Sequence, residues 1–436
     1  MVATDSSNSS AIRTYPVEPP VERCVLVAAD FGLGEWGVDE SLDELERLVE
    51  TDGAIAVGRL VQRLDKPFPR TFLGTGKLEE LRQLALELDA DLIVFDDELS
   101  PSQQANIERL TEGKFKVLDR TALILDIFGQ HAKTHEGKLQ VQLAQLQYLY
   151  PRLRGMWAHL AKDKTRGGIG SRFGQGESQL EVDRRMIRDR MALIRRELKK
   201  VASNRDIQRK DRKESSAFRI ALAGYTNAGK STLLNALSGS DVYVQDQLFA
   251  TLDPTTRLLE LPGGRKTVIT DTVGFIQKLP TTLVESFKST LAEVNDAQLI
   301  LEVADAHDRN MDKQLRSVED VLDQIGAQEI PRLVVYNKID LLNPDELEAL
   351  KARHSDGAYI SARESLGLDA LIGKIAAIAS SRDVTTRVLL PYSEASLLKR
   401  CHEVGEVLNE EYSDKGIDVT VVAPPELLKR IERFRV

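Results

Sequence analysis

The chain has 436 residues, which exceeds one typical domain and leaves room for about three. Its composition is 42% hydrophobic and 29% charged, as in soluble globular proteins, and no apolar run approaches the roughly 18 residues of a membrane span. The two cysteines, Cys24 and Cys401, lie far apart in sequence, which argues against a disulfide framework. We therefore expect a cytoplasmic protein without integral membrane association.

The charge of the chain is unevenly distributed. A net charge of −9 would disfavour a nucleic-acid partner if it were spread evenly. However, residues 133–213 hold 21 Lys and Arg against 9 Asp and Glu. A basic segment on an acidic chain predicts a local binding site for a polyanion.

The first part of the chain is predicted to be a flexible tail, residues 1–20, followed by a small parallel α/β domain, residues 21–130. In that domain short apolar runs alternate with amphipathic ones. A helix from Ser41 to Val49 is expected to begin at Ser41, with Glu44 completing a capping box. Gly74-Thr-Gly-Lys77 is interpreted as a glycine turn before a helix, and Asp96-Asp97-Glu98 as an acidic, solvated strand end.

Residues 131–213 are predicted to form a basic helical hairpin. Apolar residues recur at alternating steps of three and four from Leu139 to Leu160, and a second series runs from Leu180 to Val201. Each series gives a long helix one narrow apolar stripe, and the short connection favours an antiparallel pair. Pro151 is expected to bend the first helix.

The tip of this hairpin, residues 166–177, contains five glycines. This number lets the backbone approach a partner closely, while neighbouring arginines supply charge and an aromatic ring supplies a stacking surface. A disordered linker beside a solvated helix face is the alternative interpretation. The residues predicted to contact RNA are Arg166, Arg172, Phe173, Arg184 and Arg185.

The segment Gly224–Ser231 fits the phosphate-loop pattern Gly-x-x-x-x-Gly-Lys-Ser between an apolar strand and a helix. Its glycines let backbone N–H groups surround the phosphates, Lys230 is expected to reach the β- and γ-phosphates, and Ser231 to bind Mg²⁺. The predicted phosphate-binding residues are Gly224, Tyr225, Thr226, Asn227, Ala228, Gly229, Lys230, Ser231 and Thr232.

Three further motifs follow in the order typical of a GTPase. Asp271-Thr272-Val273-Gly274 can approach the metal and the γ-phosphate, and Asn337-Lys338-Ile339-Asp340 can recognise guanine through the Asp carboxylate. Ser361-Ala362-Arg363 completes a base pocket. Residues 214–382 are therefore predicted to form a P-loop GTPase domain with a doubly wound, mostly parallel sheet.

Residues 383–436 are predicted to form a small C-terminal α+β domain. The patterns indicate strands at Val388–Leu390 and Ile417–Val422, and helices at Ser393–Leu408 and Pro425–Phe434. Nothing in this tail resembles a catalytic motif, and His402 is interpreted as a helix-surface residue.

The phosphate loop, the segment Phe249–Thr255, the Asp271–Phe275 motif and the glycine-rich tip together resemble the HflX family of ribosome-associated GTPases. The resemblance implies GTP or GDP as ligand and a hairpin that lies on ribosomal RNA of the large subunit near the peptidyl-transferase centre. It also implies that the protein splits stalled or idle ribosomes under stress. We expect a monomer and no DNA partner.

Switch I, the loop that senses the γ-phosphate, is expected to contain the nucleotide-binding residues Phe249, Ala250, Thr251, Leu252 and Asp253. Thr251 is chosen over Thr255 as the second Mg²⁺ ligand, because its position leaves room for two strands before Asp271. Lys230, Thr251 and Gly274 are the predicted catalytic residues.

Phe275 follows the switch II glycine at the position where Ras-type enzymes carry the glutamine that orients water. We therefore expect slow intrinsic hydrolysis that a group supplied in trans, or a bound cation, accelerates. Asn227 resembles the K⁺-binding asparagine of potassium-activated GTPases, although an Asn can also occupy this position only for its backbone geometry.

Nucleotide state is expected to set the angle between hairpin and GTPase domain. Two alternatives to a ribosome-splitting factor are a GTPase switch in RNA processing or tRNA modification, and a nucleotide-regulated adaptor for protein partners. Binding that survives RNase and salt would favour the adaptor, since RNA contacts weaken steeply with salt.

Overall fold

The computed structural model describes residues 21–32, 35–163, 173–214, 217–239, 248–249, 251–262, 265–278, 280, 293–381 and 383–436. Within these ranges, side chains are described except at 154–163, 173–180, 204–214 and Glu426. The predicted tail, residues 1–20, lies outside the described part of the chain.

The N-terminal domain is a four-stranded parallel sheet in the order β2-β1-β3-β4, as the alternating pattern predicts. Its strands are β1 Arg23–Asp30, β2 Ile55–Arg63, β3 Leu92–Phe95 and β4 Lys116–Asp119. Its helices are α1 Val38–Thr51, α2 Thr75–Glu87, α3 Pro101–Leu110 and α4 Arg120–His131. Apolar clusters bury both faces of the sheet, which explains why β1 and β3 are almost continuously hydrophobic.

The capping box predicted at Ser41 is wrong. Helix α1 begins one turn earlier, after Gly37, and the Glu40 carboxylate accepts the backbone N–H of Gly37 at 2.9 Å. The pair Gly37-x-x-Glu40 supplies the glutamate half of a capping box at the same spacing as Ser41-x-x-Glu44, although glycine has no side chain to cap the helix in return. Ser41 is instead buried inside the helix, where its hydroxyl donates to Asp96 Oδ2 at 2.7 Å.

The interpretation of Asp96 as a solvated residue is also wrong, because its side chain is only 1% exposed. The fully buried Arg120 donates to Asp96 Oδ1 at 2.7 Å and also to Glu44. Burial alone would raise the pKa of Asp96, but the positive charges of Arg120 and Lys278 outweigh it and lower that pKa. For Glu44, burial prevails over the attraction of Arg120, and its pKa is raised. This set of three residues, here called the Arg120 cluster, holds α1, β3 and α4 together.

The predicted hairpin consists of α5, His135–Asp163, and α6, Phe173–Glu214. Within the described side chains its seam contains Leu139, Leu143, Met191 and Ile194, as the stripes predict. The seam positions Trp157, Leu160 and Leu180 lie outside the described side chains.

Helix α5 is fixed to the N-terminal domain. Tyr148 donates its hydroxyl to Asp119 Oδ1 at 2.9 Å, Gln145 donates to Leu125 O at 3.2 Å, and the buried Arg152 donates to Leu99 O at 2.6 Å. The start of the hairpin and the N-terminal domain therefore form one packed unit.

The GTPase domain has a six-stranded sheet in the order β10-β9-β8-β5-β7-β6, parallel except for β6. Its strands are β5 Phe218–Gly224, β6 Thr255–Leu261, β7 Arg265–Asp271, β8 Leu299–Asp305, β9 Arg332–Asn337 and β10 Ala358–Tyr359. Its described α-helices are α7 Lys230–Ser238, α8 Met311–Gln324, α9 Pro344–Arg353 and α10 Leu368–Ser380. The predicted fold class is confirmed.

The C-terminal domain is a three-stranded antiparallel sheet, β11-β13-β12, with two helices on one face. Its elements are β11 Val384–Leu390, α11 Ala395–Val404, β12 Glu406–Ser413, β13 Gly416–Ala423 and α12 Pro425–Ile431. The predicted helix Ser393–Leu408 is therefore wrong beyond Val404: α11 ends before Gly405, and pairing with β13 draws the following residues into a strand. His402 is exposed on α11 and contacts Glu410.

None of the helices described is both long enough and apolar enough to cross a bilayer.

Replacing Arg120 with alanine would leave Glu44 buried without a cation and Asp96 with Lys278 as its remaining one. We expect the free energy of unfolding to fall by about 3–5 kcal/mol at pH 8. The loss should shrink toward pH 5, because the raised pKa of Glu44 lets that carboxyl take up a proton as the pH falls. Urea unfolding at both pH values measures this, with Arg109→Ala on the exposed face of α3 as control, expected within about 0.5 kcal/mol of wild type. Equal losses for the two variants would contradict the assignment.

Candidate nucleotide-binding site

The phosphate loop joins β5 to α7 and requires glycine at both of its motif positions. Gly224 has φ +150° and Gly229 has φ +91°, values that L side chains rarely adopt. A Cβ at Gly224 would collide with the carbonyl oxygen of Val303, and one at Gly229 with the side-chain amide of Asn337. Val303 of the sheet and Asn337, the first residue of the predicted base-recognition motif, therefore pack directly against this turn.

Lys230 is buried at the start of α7 and points into the loop. Its Nζ donates to the carbonyl oxygens of Gly224 at 3.0 Å and Tyr225 at 2.7 Å. Burial lowers the pKa of Lys230 to about 8, against the opposing attraction of Asp271. A phosphate anion would favour the charged form, so we expect nucleotide binding to be coupled to protonation of this amine.

Three oxygen-bearing side chains meet beside Lys230. Ser231 Oγ lies 2.7 Å from Thr251 Oγ1 and donates to Asp271 Oδ2 at 2.6 Å. Oxygen ligands suit Mg²⁺, and Asp271 Oδ1 is buried without a hydrogen-bond partner among the described residues. Burial raises the pKa of Asp271, opposed by Lys230, and a divalent cation would favour its ionised form. Ser231 and Thr251 would hold the ion, which would supply positive charge for phosphoryl transfer.

The two candidate switch I threonines occupy different environments. Thr251 reaches the phosphate loop through its hydroxyl, whereas Thr255 begins β6 and pairs with Asp271 through the sheet register. The geometry favours Thr251.

Switch II lies on the phosphate loop. Thr226 N donates to Phe275 O at 2.7 Å, and Phe275 N donates to Gly224 O at 3.1 Å. A Cβ on Gly274 would come within 2.9 Å of Thr226 Cα and 3.1 Å of Lys230 Nζ, so only glycine fits here. The Phe275 ring is buried, and Thr272 is held through a bond from its hydroxyl to Leu222 O at 2.7 Å.

The residues predicted to recognise the base lie at the carboxyl end of β9. Asn337 donates to Ala228 O and accepts from Ala362 N, each at 2.9 Å, and so links the phosphate loop to the Ser361–Arg363 loop. Lys338 has φ +65° and donates to Asp305 at 2.7 Å. The exposed Asp340 is free to meet a base edge, while the Arg363 side chain is 85% exposed.

A buried contact between the phosphate loop and the N-terminal domain was missed by the sequence reasoning. Tyr225 donates its hydroxyl to Glu44 of the Arg120 cluster and accepts the backbone N–H of Gln277 at 2.8 Å. Its ring stacks on Trp36 with centroids 6.3 Å apart. Burial and the negative charge of Glu44 raise the pKa of Tyr225, so the phenol stays protonated. The sequence signal that could have predicted this contact is the aromatic residue inside the phosphate loop, because a loop exposed only to solvent has no need of a large ring.

Both switches also contact the N-terminal unit. Lys278 of switch II pairs with Asp96 and, at 2.8 Å, with Asp97. In switch I, the Phe249 ring packs edge-on against Phe128 of α4, with centroids 4.7 Å apart. The Asp253 carboxylate accepts the backbone N–H groups of residues 133 and 134, at 2.8 and 2.7 Å. The side chains of Phe249 and Asp253, predicted to bind nucleotide, thus contact the N-terminal unit in this structure.

Some of the other predicted site residues are not fully described. Ala250, Arg166 and Arg172 lie outside the described residues, and the side chain of Phe173 is not described. Arg184 lies over the Tyr150 ring at 5.7 Å, while Arg185 is exposed on α6. Asn227 is exposed and has φ +60°.

Comparison with known proteins identifies relatives along nearly the whole chain. Family profiles match residues 39–129 ("GTP-binding GTPase N-terminal"), 131–212 ("GTP-binding GTPase Middle Region") and 219–338 ("50S ribosome-binding GTPase"). GTPase HflX of Caldanaerobacter subterraneus subsp. tengcongensis is 45% identical over 95% of this chain and 94% of that protein. GTPase HflX of Lacrimispora saccharolytica is 45% identical over 93% and 94%, respectively. A crystal structure of a GTP-binding protein from Sulfolobus solfataricus with GDP covers 82% of this chain at 24% identity, with a TM-score of 0.42.

The pKa of Lys230 predicts a pH dependence of nucleotide binding. Above about pH 8 the free site loses the proton that the bound phosphates require, so GDP affinity should fall toward a limit of tenfold per pH unit. Calorimetry in buffers of different ionisation enthalpy should show proton uptake approaching one per GDP near pH 9. Affinity independent of pH from 7 to 9, without proton uptake, would exclude this coupling.

Proposed function

The chain belongs to the HflX family of GTPases, and on this premise we propose that it binds the large ribosomal subunit through its basic hairpin and dissociates stalled or idle ribosomes. GTP binding with Mg²⁺ would favour the bound state, and hydrolysis would favour release. The location is cytoplasmic and the protein acts as a monomer. The observation that carries this proposal is the contact of the N-terminal unit with the phosphate loop and both switches.

The hairpin supplies a surface suited to RNA. Helix α6 exposes basic side chains along the part whose side chains are described: Arg185, Arg188, Arg190, Arg195, Arg196, Lys199 and Lys200. Cations repeated along a helix fit a phosphate backbone, and the matched family description names the 50S subunit. Splitting further requires tighter binding to the free large subunit than to the joined ribosome, since a ligand shifts an equilibrium only by its differential affinity.

GTP turnover with and without purified large subunits tests the proposal. We expect a large stimulation in K⁺ buffer that shortening residues 166–176 abolishes. Arg185→Glu should weaken the stimulation and its salt dependence. Arg353→Glu, which changes another exposed helical arginine, on α9, should not. Light scattering of joined ribosomes should then fall on addition of the protein with a non-hydrolysable GTP analogue, and not with GDP.

Two results would count against this function. Stimulation without loss of light scattering would leave subunit binding and remove splitting. No stimulation by large subunits would favour the GTPase switch in RNA processing instead.

We also propose that K⁺ completes the hydrolytic site at Asn227, since Phe275 cannot orient water. K⁺ should raise kcat by about tenfold over Na⁺, equivalent to about 1.4 kcal/mol of barrier. Asn227→Gly separates the two explanations for this residue, because glycine tolerates φ +60° but has no side-chain oxygen. Loss of the K⁺ effect in Asn227→Gly supports a ligand role; equal rates in K⁺ and Na⁺ for the wild type would refute it.

A further inference from the structure

Switch I is bonded to the first turn of the hairpin. Thr134 caps helix α5, where its Oγ1 accepts the N–H of Gly137 at 3.0 Å. The same hydroxyl donates to Asp253, whose other oxygen, Oδ2, accepts the N–H groups of Lys133 and Thr134 at 2.8 and 2.7 Å. A carboxylate at the positive end of a 29-residue helix is favourably placed, so this contact is both oriented and electrostatically favoured.

The space around this contact allows little displacement. Gly137 faces Asp253 so closely that a Cβ added there would collide with Oδ1. On the switch I side, Leu252 is 2% exposed and Phe249 is held against Phe128. The carboxylate therefore cannot shift without moving either the start of α5 or the switch backbone.

Thr251 lies two residues before Asp253, and its hydroxyl lies 2.7 Å from Ser231 Oγ. Two residues span at most about 7 Å, so only a short segment joins the start of α5 to the proposed Mg²⁺ ligand. The short segment from Thr251 to Asp253 thus has the phosphate loop at one end and the hairpin at the other.

We propose that Asp253 is a positioning residue through which the hairpin, when loaded on RNA, places Thr251 for hydrolysis. This inference rests on the proposed function, because the binding of RNA to the hairpin is what would displace α5. The coupling is reciprocal for binding: a nucleotide that orders Thr251 must also favour one orientation of α5.

A double-mutant cycle tests the coupling. Asp253→Ala and Gly137→Ala should each reduce the ratio of subunit-stimulated to basal kcat at least tenfold, with the KM for GTP changed much less. Asp253→Asn keeps an acceptor for the backbone N–H groups and should recover much of the ratio. In Asp253→Ala the collision is gone, so adding Gly137→Ala should have no further effect. Gly373→Ala, a helical glycine with open space around it, is the matched control and should be neutral.

A wild-type stimulation ratio in both single variants, or effects that multiply in the double variant, would overturn the proposal while leaving ribosome binding intact.

If large subunits do not stimulate the wild type, the proposed function fails. A direct distance measurement then tests the coupling between switch I and the hairpin. Spin labels at Ala192→Cys on α6 and Asp320→Cys on α8, both exposed, report the hairpin angle with GDP and with a non-hydrolysable GTP analogue. A nucleotide-dependent change lost in Asp253→Ala supports coupling; no change in wild type, or the same change in both, refutes it.

Discussion

The buried guanidinium of Arg120 is the constraint on which the arrangement of the two large domains depends. A cation in an apolar interior requires paired carboxylates, and Glu44 and Asp96 supply them from α1 and β3. The spare oxygens of those two carboxylates are then used by Tyr225 and Lys278, which belong to the phosphate loop and switch II. The charge that stabilises the N-terminal domain therefore also fixes where the GTPase domain docks.

The location of this docking follows from the topology of the N-terminal sheet. In the order β2-β1-β3-β4, β2 is added on one side of β1 and β3 on the other, so the strand order reverses at β1. Open parallel sheets bind ligands at the carboxyl ends of the strands at such a point. Asp96 lies at the carboxyl end of β3, where a small molecule would be bound in a doubly wound enzyme. Here that position is occupied by a lysine of the protein's own switch II. The N-terminal domain thus uses this edge of its sheet to hold switch II of the GTPase domain.

Sequence patterns predicted the features that depend on residues close together in the chain. The phosphate loop, the base motifs and the hairpin stripes depend on residues close together in the chain, so their spacing carries the information. Arg120 meets partners 76 and 24 residues away, and no periodicity marks such a pair. Ser41-x-x-Glu44 and Gly37-x-x-Glu40 have the same spacing, so the sequence pattern cannot decide where α1 begins. Only the packing of the helix selects between the two starts. The predicted helix Ser393–Leu408 extends over the first three residues of β12, because an edge strand is defined by the neighbour it pairs with. Asp253 was assigned to the nucleotide by proximity in sequence, whereas its partner is over a hundred residues away.

The length of the hairpin gives small events at switch I a mechanical amplification. Helix α5 starts at the Asp253 contact and continues for 29 residues, about 44 Å at 1.5 Å per residue. Because α5 is packed on the N-terminal domain, the two would rotate together, and a rotation of this unit by about 5° would carry the far end of α5 through roughly 4 Å. A small rotation beside the phosphate loop is therefore converted into a displacement several times larger at the far end of the hairpin.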